Sequence, residues 1–365
     1  MRQLYYVRKK WLLAKSECCA VNRYGIDIIK FGAPKKDKEV FMLTRLAASV
    51  AMMGLLSACG GEETARPPGG VSVPAPTPTP APTPPPVSYT SYAQLEGDQS
   101  FQSTCAVLRI RNGIEAEGVL SFGQNDGVVF EYTSQSRFSK DQAEWSITGD
   151  TLDLIFTSRD LRPSDDNVLL YAVQIVTNFI QVFAIQNPQY DDDAAEYVRA
   201  TIMQIQRFDR QVKNYYCVLG VPLKSQDRLP SVDFGFDGLV GRGTLYREEG
   251  GARPAQYFLG TTSGTAKFDR SRGRFTLELD LTGDLETDNQ MQTEQFGNFT
   301  GDISLVGNPR QFEGPLLDRN GRAVGEFSGV FFGPQGTELG IVYSANARDR
   351  TNRSISFGGH LSASR

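Results

Sequence analysis

Residues 274–284 read RFTLELDLTGD. Phe275, Leu277, Leu279 and Leu281 alternate with Thr276, Glu278, Asp280 and Thr282. That period of two marks a β-strand with one buried and one wet face. RSISFGGHLSA, residues 353–363, repeats the pattern with Ile355, Phe357 and Leu361. Turn-forming RSRG (270–273), GNPR (307–310), RNGR (319–322) and GPQG (333–336) punctuate the runs at short intervals. Strands are predicted at about 236–247, 262–269, 273–282, 297–306, 310–317, 323–332, 337–346 and 353–363. Eight short antiparallel strands joined by hairpins close into a barrel, which removes exposed edges. Its interior is filled by side chains or holds one small ligand. REEGGARPAQYFLGTT (247–262) and GDLETDNQMQTEQ (283–295) read as the longer loops of this half.

Upstream, residues 88–232 are also rich in strand signals but less regular. EGVLSFGQNDGVVFEYTS (117–134) reads as a hairpin about Asn125-Asp126-Gly127, and WSITGDTLDLIFTS (145–158) as another about Gly149-Asp150. NVLLYAVQIVTNFIQVFAI (167–185) reads as strands by its β-branched and aromatic content, although its length alone would allow a helix. TIMQIQRFDRQVKNYYCVLGV (201–221) reads as two paired strands, and DDDAAEYVRA (191–200) as the place for a short helical turn.

The chain's 365 residues carry a net charge of −4, unevenly spread. Residues 1–41 hold ten Lys and Arg against four acids, whereas residues 59–365 hold 27 basic and 38 acidic residues. The acidic part has no electrostatic footprint for nucleic acid. No apolar run reaches membrane-spanning length. Leu46 to Ala58 has signal-peptide length instead, with Arg45 before it and the small residues Ser57 and Ala58 ahead of Cys59. Met42 reads as the natural start, residues 1–41 as a non-native upstream extension, and 42–58 as the signal peptide. Residues 59–87, including the run PAPTPTPAPTPPP, are too poor in apolar side chains to pack. They read as an extended tether reaching on the order of 80 Å. The folded part then divides into 88–232 and 233–365.

Few side chains offer chemistry. Of five cysteines, Cys18 and Cys19 lie in the leader. Cys105 and Cys217 are expected to bond if the chain folds in an oxidising compartment, with two buried free thiols as the alternative. His360 is the only histidine, which excludes a histidine-based metal cluster. It falls on the face of its strand opposite Ile355, Phe357 and Leu361. It therefore reads as a solvated or hydrogen-bonded structural residue, with haem ligation or proton shuttling as the functional alternatives. Asp191, Asp192 and Asp193 lack the alternating ligands of a calcium loop and read as a solvated acidic segment. GQNDG and GPQG are turns, because no Lys-Ser/Thr follows to cradle a phosphate. Carboxylates such as Glu278 and Asp280 alternate outward along a strand, the usual pattern of a wet face rather than of a catalytic pair.

Two resemblances sharpen these readings. LSAC, residues 56–59, resembles the lipobox of bacterial lipoproteins, which implies that Cys59 is acylated with fatty acid and becomes the mature N-terminus. Gly60 in the following position implies the outer membrane, and several acyl chains make attachment stable. GEFSGVFFGPQGTELGIVYSA, residues 325–345, resembles the barrel signature of the transferrin-binding protein B family of surface lipoproteins. Gly325, Phe327, Gly329, Phe331, Gly333, Pro334, Glu338, Leu339 and Gly340 carry the match, while Ile341 and Tyr343 depart from it. GNFTGDISL (297–305) and FEGPLLDRNGRAVGEF (312–327) fit the preceding strands, and residues 215–243 resemble a handle-to-barrel junction. The resemblance implies an all-β chain: a β-rich handle domain over 88–232, then an eight-stranded antiparallel up-and-down barrel over 233–365. It also implies a non-catalytic outer-membrane lipoprotein that binds a protein or a small ligand such as haem. Such a protein would serve iron acquisition together with an outer-membrane transporter. Members bind transferrin, lactoferrin, haemoproteins, haem or complement factors through variable loops, so no ligand residue carries over. The second reading is a structural or accessory envelope lipoprotein with a side-chain-filled barrel, and the third, an enzyme using Glu278 and Asp280, is the weakest.

Overall fold

Period-two patterning governs the whole folded part. The structure, a computed structural model, describes residues 87–365 except 111–113, 121–126, 135–142, 165–166, 177–178, 191–192, 207–210, 251–253, 261–262, 288–289 and 306–308. The segments read as an upstream extension, a signal peptide and, up to residue 86, a tether, together with Cys59, Asn125, Asp126, Asp191 and Asp192, lie outside the described residues. Every element of length among the described residues is a strand, and none is a helix able to cross a membrane.

The first thirteen strands build the handle. They are β1 (Gln99–Gln102), β2 (Thr104–Ile110), β3 (Ile114–Leu120), β4 (Val129–Ser134), β5 (Ala143–Gly149), β6 (Leu152–Phe156), β7 (Leu161–Arg162), β8 (Val168–Val176), β9 (Phe179–Gln186), β10 (Gln189–Tyr190), β11 (Asp193–Ala194), β12 (Val198–Gln206) and β13 (Val212–Gly220). A four-stranded sheet, β1-β4-β5-β6, stacks on a seven-stranded sheet, β3-β2-β13-β12-β9-β8-β7. Phe130, Trp145, Ile147 and Phe156 from the small sheet meet Val107, Phe183, Met203 and Tyr215 from the large one in a single buried core. Cys105 and Cys217 face each other in the β2–β13 register on this inner face, and their sulfurs are bonded.

Three upstream expectations need correction. Residues 117–134 do not form a hairpin: β3 pairs with β2 in the large sheet, while β4 pairs with β1 and β5 in the small one. The chain crosses between sheets there, a step that alternation cannot distinguish from a return on itself. The β5–β6 hairpin exists, but Gly149 pairs with Leu152, so the loop residues are Asp150 and Thr151, both at positive φ (43° and 64°). A β-branched residue is strained in that region. Asp150 is held by the Tyr215 hydroxyl, which donates to its Oδ2 at 2.9 Å. Asp193 and Ala194 form an exposed bridge strand rather than a helical turn.

The remaining strands are β14 (Phe234–Asp237), β15 (Val240–Arg247), β16 (Ala255–Leu259), β17 (Ser263–Asp269), β18 (Arg274–Thr287), β19 (Gln290–Ser304), β20 (Gln311–Leu317), β21 (Ala323–Phe332), β22 (Glu338–Arg348) and β23 (Ser354–Ser364). β14 and β15 are two parts of one barrel strand, and β16 and β17 are two parts of another. This leaves eight strands in up-and-down order, and pairing of β15 with β23 closes the ring. Of the two segments read as long loops, the first contains a short strand and the second is mostly strand. AQYFL forms β16, and residues 283–287 and 290–295 extend β18 and β19 into a tall pair whose register runs from Arg274↔Ser304 to Thr287↔Gln290. Their glycines and acids resemble loop composition, but tertiary pairing overrides so weak a preference.

The barrel is filled by its own side chains. Phe275, Leu277, Leu279, Phe296, Phe299, Phe312, Phe327, Phe331, Leu339, Ile341, Tyr343, Phe357 and Leu361 are all buried in one core. Ring centroids lie 4.3 Å apart for Phe275–Phe312 and 4.8 Å for Phe299–Phe357. Arg247 closes one end, with its guanidinium 5.0 Å from the Tyr257 ring centroid and 5.7 Å from that of Phe296, held by Glu249, Glu294 and Asp349. Leu223 and Leu229 of the connecting segment join the core near Phe234 and Phe236, and the Arg365 guanidinium lies 4.9 Å from the Phe234 ring centroid.

Gly329 keeps this packing possible, because a Cβ there would lie 2.3 Å from the Phe312 ring. Gly329→Ala is expected to cost about 1–3 kcal/mol, read as a lower urea midpoint at unchanged slope. No shift in the midpoint would mean that the ring has room to yield.

Candidate functional site

The outward face of the barrel strands around β22 and β23 is covered. On the handle's large sheet, Ala106 and Leu108, Ala200 and Ile202, and Tyr216 and Val218 point away from the handle core and are nonetheless buried. They lie against β15, β22 and β23. The Tyr216 hydroxyl and Thr244 Oγ1 are 2.6 Å apart, and Asn214 Nδ2 donates to the Tyr246 hydroxyl at 3.4 Å. A Cβ on Gly340 would lie 3.0 Å from Val218, and one on Gly358 would lie 3.1 Å from Leu108. Glycines at these positions let the two layers approach.

A buried carboxylate latches the layers. Glu338, 4% exposed at the start of β22, accepts the backbone N–H groups of Glu196, Tyr197 and Val198 at 2.7, 3.0 and 2.7 Å. Burial pushes its carboxyl above the ordinary range, and the three N–H donors oppose that push. Beside it, the Gly333 N–H donates to the Val221 carbonyl at 3.0 Å, and the Gln335 N–H donates to Asp227 Oδ2 at 2.7 Å, which holds the β21–β22 turn. The first described residues end here too. Lys224 Nζ donates to the Ser88 carbonyl at 2.6 Å, and the Tyr89 hydroxyl donates to Asp227 Oδ2 at 3.0 Å.

His360 corrects the sequence reading. It is on the outward face of β23, as its parity requires, but it is neither solvated nor hydrogen-bonded. It is 2% exposed, opposite Arg242 and Val342, and neither ring nitrogen has a hydrogen-bond partner. Burial, with the Arg242 charge adding to it, pushes its pKa down from 6.5 to about 3. The folded form therefore binds fewer protons than the unfolded form between those values, so stability falls as pH drops below about 6.5. From pH 7.5 to 5 the expected loss from this residue is about 2 kcal/mol. His360→Leu should remove that part of the pH dependence in urea melts at the two pH values. An unchanged dependence would show that the imidazole already charges in the folded state.

The structure separates the other candidates. Phe327, Phe331 and Leu339 fill the barrel interior, and Gly325 lies so close to β22 that a Cβ would meet the Ser344 carbonyl oxygen at 2.1 Å. Gly333 and Pro334 form the tight β21–β22 turn. Thus the motif of residues 325–340 builds the barrel wall and its junction with the handle, and among the described residues it gathers no catalytic set. Glu278 is exposed and Asp280 half-buried on the outer face of β18, and Gln295 Nε2 donates to Asp280 at 2.8 Å. No group of three or more His, Cys, Asp or Glu side chains among the described residues is placed to hold a metal.

Sequence reasoning missed a cleft of about 300 Å³ where the handle's edge strand β3 meets β21 and β22. The Asn346 side chain spans it at one end, accepting the Ala116 N–H at 3.0 Å and donating to the Ala116 carbonyl at 3.2 Å. Glu117, Glu326 and Ser344 line the remainder. Glu117 pairs with Arg109 at 3.1 Å and with Lys213 at 3.0 Å. Glu326 receives only a long 3.5 Å contact from the Val119 N–H. The parity of β21 and β22 puts Glu326 beside Ser344, but nothing in their sequence shows that β3 closes over them.

No protein-family model matches the chain, and no curated protein is similar to it in sequence. Among solved structures, it is similar to a transferrin-binding protein B double mutant from Haemophilus parasuis, at 13% identity and a TM-score of 0.38. That match covers 72% of this chain and 44% of the other, so this chain spans under half of that protein's length. It is also similar to HpuA from Kingella denitrificans in complex with human haemoglobin, at 14% identity, a TM-score of 0.31, and coverage of 73% and 87%. A third is the N-lobe of lactoferrin-binding protein B from Moraxella bovis, at 10% identity, a TM-score of 0.27, and coverage of 72% and 98%.

Proposed function

We propose that this chain is a lipid-anchored outer-membrane binding module that recognises a protein with its outer surface and does no chemistry on it. The observation that carries this reading is the filled barrel. With phenylalanine rings packed through the interior and Arg247 across one end, a haem-sized ligand inside would have to displace much of the core. Close-packed interiors resist such insertion. Recognition is then left to the loops and to the handle–barrel junction, on a scaffold held rigid by the buried interface. The lipobox-like LSAC and the proline-rich segment after it support anchorage at Cys59 and display away from lipid.

The test uses the full chain exported in a bacterial envelope. Saturable binding to at least one of transferrin, lactoferrin and haemoglobin is expected, with no saturable Soret shift on haem addition. Cys59→Ala should move the protein from the membrane to the soluble fraction. A haem shift without any protein bound would overturn the reading. The filled barrel equally suits a structural envelope lipoprotein. That second reading gains if none of the three proteins binds and deletion alters envelope integrity but not iron-limited growth.

A further inference from the structure

We infer that the cleft between β3 and strands β21 and β22 is a subsite for an arginine side chain presented by a partner protein. This rests on the binding reading above and adds the chemistry of one contact. The residues lining the cleft include the acidic Glu117 and Glu326 and no basic residue. Glu117 is already engaged by Arg109 and Lys213. The Glu326 carboxylate has no cationic partner among the described residues, and its only hydrogen bond there is the 3.5 Å contact from the Val119 N–H.

The second observation is independent of charge. Ser344 is 1% exposed, lines the same cleft, and its Oγ has no hydrogen-bond partner. A buried hydroxyl left without a partner is costly, and a donor entering the cleft would satisfy it. The cross-strand register places Ser344 directly beside Glu326. A carboxylate next to a lone hydroxyl acceptor suits a planar guanidinium, which can give two parallel N–H groups to the carboxylate and a third to the hydroxyl. A lysine ammonium lacks that fork. The volume of about 300 Å³ suits one long side chain rather than a cofactor. Gly118, at φ +108°, belongs to this fit, because a Cβ there would lie 3.1 Å from Glu326 Oε2 and crowd the carboxylate.

The test is a titration of the full chain, labelled with ¹⁵N, with acetyl-Gly-Arg-Gly-amide and with its uncharged citrulline counterpart. The arginine peptide should give saturable amide shifts at residues 116–118 and 325–326 and at 344–346. The citrulline peptide should bind at least 10-fold more weakly. Glu326→Gln should weaken arginine-peptide binding about 10-fold and Ser344→Ala about 3-fold, with shifts elsewhere in the spectrum unchanged. Glu131→Gln, on a handle strand outside the cleft, should leave binding as it is. Equal binding of the two peptides, no saturable shift at the cleft, or an unaltered affinity in Glu326→Gln would each overturn the proposal. The outcome is separable from the broader reading. Partner binding without peptide binding removes the subsite alone, whereas peptide binding with no protein partner keeps the subsite and removes the function.

Discussion

Glu338→Ala is expected to lower the unfolding free energy of the folded part by about 3–5 kcal/mol. The substitution strands three backbone N–H groups, those of Glu196, Tyr197 and Val198, at a junction where the carboxylate is 4% exposed. Each buried donor left without a partner costs about 1–3 kcal/mol, and water reaching the site recovers part of that. Glu338→Gln keeps one acceptor oxygen and should lose roughly half as much. Because the latch joins handle to barrel, the alanine variant should also split a single urea transition into two, with the barrel core persisting longer. Fluorescence and circular dichroism melts that remain coincident, with a midpoint shift below about 1 kcal/mol, would show that the interface is held by its apolar contacts alone.

Replacing Cys105 and Cys217 by alanine is expected to cost about 4–5 kcal/mol if chain entropy dominates, and less if the unfolded chain retains structure. The two residues are 112 positions apart, so the bond closes most of the handle into one loop. It also ties β2 to β13 on the face that forms the handle core. The loss should appear as a lower melting temperature in the double variant and, equally, in the parent protein unfolded under reductant. Non-reducing peptide mapping of exported protein should recover the two cysteines linked. Free thiols at both positions, or equal stability with and without reductant, would remove the bond from the account of stability.

Much of this molecule is legible along the chain. The alternation of Phe275, Leu277, Leu279 and Leu281 marks a strand and its inward face, and the structure puts all four in the barrel core. Turns such as RNGR and GPQG stand where β20, β21 and β22 are joined. The strand pairs around Val168–Gln186 and Val198–Gly220 follow from β-branched and aromatic content. These readings succeed because side-chain period and turn chemistry are local: they depend on residues within a few positions of one another.

What covers an outward face is not local. His360 and Glu326 both alternate away from the barrel interior, yet the handle sheet buries the first and leaves the second at the mouth of a cleft. Glu338 stands in a motif that looks like barrel wall, but its partners lie some 140 residues earlier in the chain. β3 and β4 read as one hairpin because their pattern suits any antiparallel neighbour, and only the stacking of two handle sheets sends them apart. Sequence by itself determined most of the strands and their inward faces, since these are set by period and residue type, and it named Cys105 and Cys217 as a candidate pair while leaving free thiols open. Tertiary structure alone decided which outward faces stay wet, because that depends on a second layer whose residues are distant in sequence and close only once both layers have folded.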